Sequence, residues 1–144
     1  MSVGDIVEAL LHGDPDGISI SGGEPTEQMD DLLRLAMVLW PMFQSKKGLL
    51  LFSGTSPEQR EALPLWGALQ RNLDAAILGP YKEELAIRRP TDMRSSSNQR
   101  IEVYGKAITA EELHGLPQIE VIIAKSGRTM LGFPNREDIK CLQS

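Results

Sequence analysis

Three short apolar runs, at residues 18–20, 48–52 and 73–78, are separated by segments of helical periodicity, and this alternation limits the chain's folding options more than any other feature. The second and third runs lack polar alternation. That pattern suits strands covered on both faces, as in a parallel sheet, better than half-exposed antiparallel ones. Strand and helix alternating at this spacing predict an α/β fold with a parallel sheet and right-handed crossovers. At 144 residues, 41% hydrophobic and 24% charged, the chain has the size and composition of one domain spanning 1–144. A chain of this size buries roughly two-thirds of its unfolded surface.

The helical segments carry their own start and stop signals. Val3, Ile6, Val7, Leu10 and Leu11 repeat at helical spacing behind Ser2, with Asp5 as its capping-box partner. A second helix is expected after Pro25, with Glu27, Asp30 and Asp31 at its positive end and Met29, Leu32, Leu33, Ala36, Met37 and Trp40 facing inward. Pro41 is expected to end it. Ser56, Pro57 and Gln59 supply a cap, a first-turn proline and a capping-box partner for a third helix, interrupted at Pro64 and resumed through Arg71. Residues 88–100 read as a polar loop, followed by a short strand at 101–103 and a capped helical turn at 109–113. Residues 119–124 and 128–133 then flank Ser126-Gly127, which reads as a two-residue hairpin turn.

Charge and composition exclude several function classes. A net charge of −5 with scattered Lys and Arg gives no basic field for nucleic acid or an anionic membrane surface. No apolar run approaches the ~20 residues of a membrane span, and there is no leader pattern, so a cytoplasmic location is expected. The one cysteine, Cys141, excludes an internal disulfide and any cysteine-only metal site within one chain. His12 and His114 are isolated. Asp14, Asp16, Asp30 and Asp31 lack the spacing of a calcium loop and are explained by turn and helix-start chemistry.

Gly22, Gly23, Glu24 and Pro25 follow the first apolar run, where an α/β sheet presents ligands. Paired glycines let the backbone approach a ligand without a Cβ in the way. The plainer reading of the same four residues is a tight strand-to-helix turn with Pro25 at the helix start. Glu24 is positioned to hold either that loop or a ligand ammonium, a charge-assisted bond of about 1.5–3 kcal/mol. Ser53 and Thr55 follow the second run and can hydrogen-bond a ribose or carboxylate, or serve only as turn and cap residues.

Four blocks extend this picture: Gly17-Ile18-Ser19-Ile20-Ser21-Gly22-Gly23-Glu24-Pro25, Leu51-Phe52-Ser53-Gly54, Asp74-Ala75-Ala76-Ile77-Leu78-Gly79-Pro80-Tyr81 and Ser96-Ser97-Asn98-Gln99-Arg100-Ile101. In this order and spacing they resemble the small radical S-adenosylmethionine (SAM) proteins that activate glycyl-radical enzymes, most closely the anaerobic ribonucleotide reductase activase group. Leu131-Gly132-Phe133-Pro134 resembles the group's closing strand. The resemblance implies a truncated, open parallel (β/α) barrel of the radical SAM type ending in a hairpin. It also implies that Gly22 and Gly23 contact the methionyl amino group of SAM and that Asn98 and Gln99 lie near the ligand end of the sheet. A relative of this kind cleaves SAM reductively to a 5′-deoxyadenosyl radical, which takes a glycine hydrogen from a partner enzyme.

One part of the family pattern has no counterpart here. The resemblance calls for a strand and loop with three cysteines spaced CxxxCxxC, because a four-iron cluster that leaves one iron open for SAM needs three thiolates. Cys141 cannot replace them, so neither metal ligands nor catalytic residues are assigned. The expectation is a partial radical SAM domain, a fragment without its own cluster ligands that binds SAM weakly. The alternatives are a non-catalytic SAM- or nucleotide-binding or regulatory module, or one half of a split enzyme. The expected partner is a glycyl-radical enzyme such as anaerobic ribonucleotide reductase. Self-association through an exposed sheet edge is a further expectation.

Overall fold

The computed structural model describes residues 2–88, 93–115, 119–124 and 127–132. Helix α1 (Val3–Gly13) opens with the expected capping box. The Asp5 N–H donates to Ser2 Oγ at 3.2 Å, and the Ser2 N–H donates to Asp5 Oδ2 at 2.7 Å. Strand β1 (Ile18–Ile20) leads through the glycine pair into a 3-10 turn (Pro25–Gln28) and helix α2 (Met29–Phe43). Strand β2 (Leu49–Ser53), helices α3 (Pro57–Glu61) and α4 (Trp66–Gln70), and strand β3 (Ala75–Leu78) follow. Beyond them lie β4 (Arg100–Val103), α5 (Ala110–Gly115) and the hairpin strands β5 (Ile119–Ala124) and β6 (Gly127–Gly132).

The main sheet has the order β1-β2-β3-β4 and is not closed. Its first two pairings are parallel, as the apolar runs predict, whereas β4 is antiparallel to β3, with Leu78 opposite Arg100. The architecture is thus mixed α/β, a correction to the expected all-parallel sheet. The reason lies in the connection. Between β3 and β4 the described residues hold only a 3-10 turn (Glu83–Leu85), and no helix carries the chain back across the sheet. The chain therefore re-enters from the edge it left.

Both faces of the sheet are covered, which is why the strands are apolar at consecutive positions. On one face Leu49, Leu51, Ala76 and Leu78 pack with Leu32, Ala36, Leu39 and Phe43 of α2 and with Trp66 and Leu69 of α4. On the other, Leu50, Ala75 and Ile77 pack with Phe52, Ile101, Ile108 and Leu113. Each fully buried leucine contributes about 2–3 kcal/mol relative to exposure.

Two helix expectations are corrected. Helix α2 runs through Pro41 to Phe43. The missing N–H costs one hydrogen bond, but Leu39 and Phe43, 0% and 4% exposed, anchor the last turn in the core, and their burial outweighs that loss. Met37 is 55% exposed rather than inward, because the buried positions follow Leu32, Ala36, Leu39 and Phe43 around the helix. In the hairpin, Gly127 belongs to β6 opposite Ala124 rather than to the turn, and Ser126 lies outside the described residues. Phe133, Pro134 and Cys141 lie outside the described residues.

At the N-terminal edge of the sheet, Asp74 ties three strands together. Its Oδ2 accepts from the Leu49 N–H at 2.9 Å, and its carbonyl accepts from Tyr104 and Gly105 N–H at 2.7 and 3.0 Å. A Cβ on Gly48 or Gly105 would overlap this carboxylate.

Candidate functional site

The register places the ends of β1, β2 and β3 and the start of β4 along one edge of the sheet. Ile20 pairs with Leu51, Ser53 with Leu78 and Leu78 with Arg100. The loops that leave this edge are Ser21-Gly22-Gly23-Glu24, Gly54-Thr55 and Gly79-Pro80, with Asn98-Gln99 entering it. They border an open cleft of about 350 Å³. Phe52 and Ile77, pointing to the second face, give it apolar lining. Ser21, Gly22, Gly23, Ser53, Gly54, Gly79, Ser95 and Gln99 give it a polar rim, completed by Tyr81.

Gly22 and Gly23 have φ of +91° and +55°, in the left-handed region that side-chain-bearing residues avoid. A Cβ built on either would meet no atom within 4 Å. No described backbone hydrogen bond takes up the N–H of either residue. The pair is therefore open backbone with donors to spare, a local arrangement suited to a ligand carbonyl or carboxylate oxygen.

Glu24 has a different task. Its Oε1 accepts from the Thr26 N–H at 3.1 Å, the Thr26 hydroxyl at 2.7 Å and the Ser53 hydroxyl at 2.7 Å, while Oε2 accepts from the Gly54 N–H at 2.8 Å. Thr55 Oγ1 lies 2.8 Å from Thr26 Oγ1 and 2.7 Å from Ser53 Oγ. Each hydroxyl has one proton. With Thr26 and Ser53 donating to Glu24, the Thr55 proton has Thr26 Oγ1 at 2.8 Å and Glu24 Oε1 at 3.4 Å as acceptors, and all three donors have a partner. Burial pushes the Glu24 carboxyl up, but the bonds from Ser53, Thr26 and Gly54 outweigh it and leave its pKa below the ordinary value. Glu24 thus ties the end of β1 to the end of β2.

The other residues singled out in the sequence divide by position. Ser53 lines the cleft with its hydroxyl committed to Glu24. Thr55 is 6% exposed and does not line the cleft; it supports the cage from inside. Pro25 is buried at the first position of the 3-10 turn and also stands off the cleft. Asn98 Nδ2 donates to the Pro80 carbonyl at 2.8 Å, and its buried Oδ1 has no partner among the described residues. Gln99 lines the cleft, but its Nε2 donates to the Gly79 carbonyl at 3.0 Å and its Oε1 accepts from the Ser95 and Ser96 N–H groups at 2.8 and 3.1 Å.

Thr26 was not singled out in the sequence, and Gly54 and Tyr81 entered only as members of the family-like blocks, with no site role. Thr26 was detectable as the partner of a glutamate cap two residues earlier. Tyr81 follows the third apolar strand after Gly79-Pro80 and is 53% exposed at the cleft.

Among the described residues no three His, Cys, Asp or Glu side chains come together in a way that would hold a metal. His12 Nδ1 lies 2.8 Å from the Glu8 carbonyl, and Asp14 is paired with Lys46 at 2.5 Å. With one cysteine in the sequence, the donor set does not fit an iron–sulfur cluster bound by three thiolates. No helix among the described residues is long and apolar enough to cross a membrane.

A family model described as a 4Fe-4S single cluster domain matches residues 2–102. The match includes all four strands of the main sheet except the last residue of β4. No curated protein and no solved structure matches the chain.

Proposed function

Since this chain belongs to the 4Fe-4S single cluster domain family, we propose that it is the SAM-binding part of a radical SAM activase-type protein, with the cluster thiolates supplied from outside this sequence. The observation that carries the reading is the pair of open left-handed glycines, Gly22 and Gly23, whose N–H groups have no partner among the described residues and which sit at the rim of a cleft on the ligand edge of an α/β sheet. The cleft volume lies at the lower end of the range for small-molecule sites.

In this reading Gly22 and Gly23 receive the methionyl end of SAM, Phe52 and Ile77 cover its apolar parts, and Glu24 holds the loop in place for both. SAM supplies a 5′-deoxyadenosyl group when it is cleaved reductively, and the residues of this chain bind and orient it. The three parallel strands β1, β2 and β3 are the corresponding portion of an open (β/α) barrel, and the antiparallel β4 is a departure from it. The outer edge of β1 pairs with the segment or chain that completes the barrel. The partner acted upon is a glycyl-radical enzyme, and the compartment is the cytoplasm.

The test is backbone amide shift mapping on the full chain with SAM. The expected result is perturbation confined to Ser21, Gly22, Gly23, Ser53, Gly54, Gly79 and their neighbours. Shifts clustered at the opposite edge, around Gly48, Asp74 and Gly105, would contradict the assignment.

A further inference from the structure

The loop before β4 is bridged by backbone to residues 85–87, where Ile87 N–H donates to the Ser95 carbonyl and Ser97 N–H to the Leu85 carbonyl, but it is tied to the residues that leave β3 by side chains. Gln99 supplies one bond to the Gly79 carbonyl and accepts two more from Ser95 and Ser96 of its own loop. Asn98 adds one to the Pro80 carbonyl, and the Lys82 N–H donates to Ser96 Oγ at 3.3 Å. Gly79 itself has a φ of +118°, and a Cβ there would sit 3.5 Å from Gln99 Cα. The two backbones are therefore in close contact at the β3–β4 side of the cleft, across the strand order from Gly22 and Gly23 on the β1 side.

We infer that Gln99 is a positioning residue whose carboxamide locks residues 95–96 to Gly79 and so fixes the cleft wall, rather than a group that contacts the ligand with its polar atoms. The chemistry favours this role. A carboxamide oxygen accepts two hydrogen bonds, and both are taken by backbone N–H groups; one of the two amide hydrogens goes to a carbonyl. Ser96, the residue held, is completely buried, so freeing its N–H leaves a buried donor without a partner. The consequence reaches the cleft because Gly79, Ser95 and Gln99 all line it. As far as ligand affinity is concerned, this role rests on the SAM reading above.

The experiment uses the full chain, with Gln99→Leu and Gln99→Glu beside the wild type. Two quantities are measured: amide hydrogen exchange without ligand, and affinity for SAM. Gln99→Leu removes the acceptor and the donor. Exchange at Ser95 and Ser96 should rise about tenfold or more, with the central amides of β2 and β3 unchanged, and SAM should bind about tenfold more weakly. Gln99→Glu keeps the acceptor, so protection at Ser95 and Ser96 should persist. The lost donor to Gly79 should still weaken SAM. Unchanged exchange in Gln99→Leu would overturn the latch. Faster exchange with unaltered SAM affinity would overturn the positioning role and leave the SAM reading intact. Absence of SAM binding by the wild type would overturn that reading, and the role of Gln99 toward the ligand with it.

Discussion

The Glu24 carboxylate and the Ser53 hydroxyl, 29 residues apart in the chain, meet at 2.7 Å. This bond, with those from Thr26 and Gly54, joins the loops leaving β1 and β2 into one rigid lip of the cleft.

Glu24→Gln should therefore destabilise the fold as well as alter the site. The substitution sets an amide against the ring of donors and removes charge assistance, at a cost of about 1–2 kcal/mol. For a domain of this size that is a Tm loss of about 3–8 °C. The pH dependence has a definite sign. The folded-state pKa of Glu24 is lowered from 4.5, so its contribution is present above the unfolded value and lost as pH falls through the folded one. The gap in stability between wild type and Glu24→Gln should be largest at neutral pH and should shrink in acid. A gap that widens in acid would contradict the cage.

Glycine substitutions should separate site from scaffold. Gly23→Ala meets open space, so its cost is backbone strain alone, about 1–2 kcal/mol, and it should impair ligand binding more than folding. Gly105→Ala drives a methyl group into the buried Asp74 carboxylate and should cost about 3 kcal/mol or more. Denaturant unfolding of the two variants checks the order. The reverse order would mean that the loop at Gly23 is more tightly packed than described.

Much of this fold was legible because its signals are local. The capping pairs Ser2 with Asp5 and Ser56 with Gln59 form as their spacing requires, and the turn expected to be capped at 109–113 is closed by Thr109 and Glu112. The consecutive apolar residues of β2 and β3 do face opposite cores. The direction of β4 was not legible: Ile101, Glu102 and Val103 fit either direction, and the antiparallel choice is made by the return of the chain at Gly79 and Gln99. Nor was the continuation of α2 through Pro41, which depends on what Phe43 finds in the core. At the site, the glycine pair was readable from residue type. The hydroxyl cage was not, because Thr26 and Ser53 are brought to Glu24 by strand register. Asn98 and Gln99 were singled out as amides near a ligand; the Gln99 carboxamide and Asn98 Nδ2 bond to backbone, while Asn98 Oδ1 has no partner among the described residues.

The donor set makes a prediction of its own. Anaerobic reconstitution of this 144-residue chain with iron and sulfide should give no stable cluster and no visible thiolate-to-iron absorption, with or without Cys141→Ser, because three thiolates are needed. A stable four-iron cluster on the chain alone would show that ligands outside the described residues suffice.

The central claim is that the cleft beside Gly22 and Gly23 binds SAM, and calorimetric titration of SAM into wild type, Glu24→Gln and Gly23→Ala tests it most directly. Without metal chelation the wild-type dissociation constant should lie in the range of about 10 μM to 1 mM, and each substitution should raise it about tenfold or more. A wild type that gives no heat up to millimolar SAM, or three proteins that bind equally well, would contradict the account.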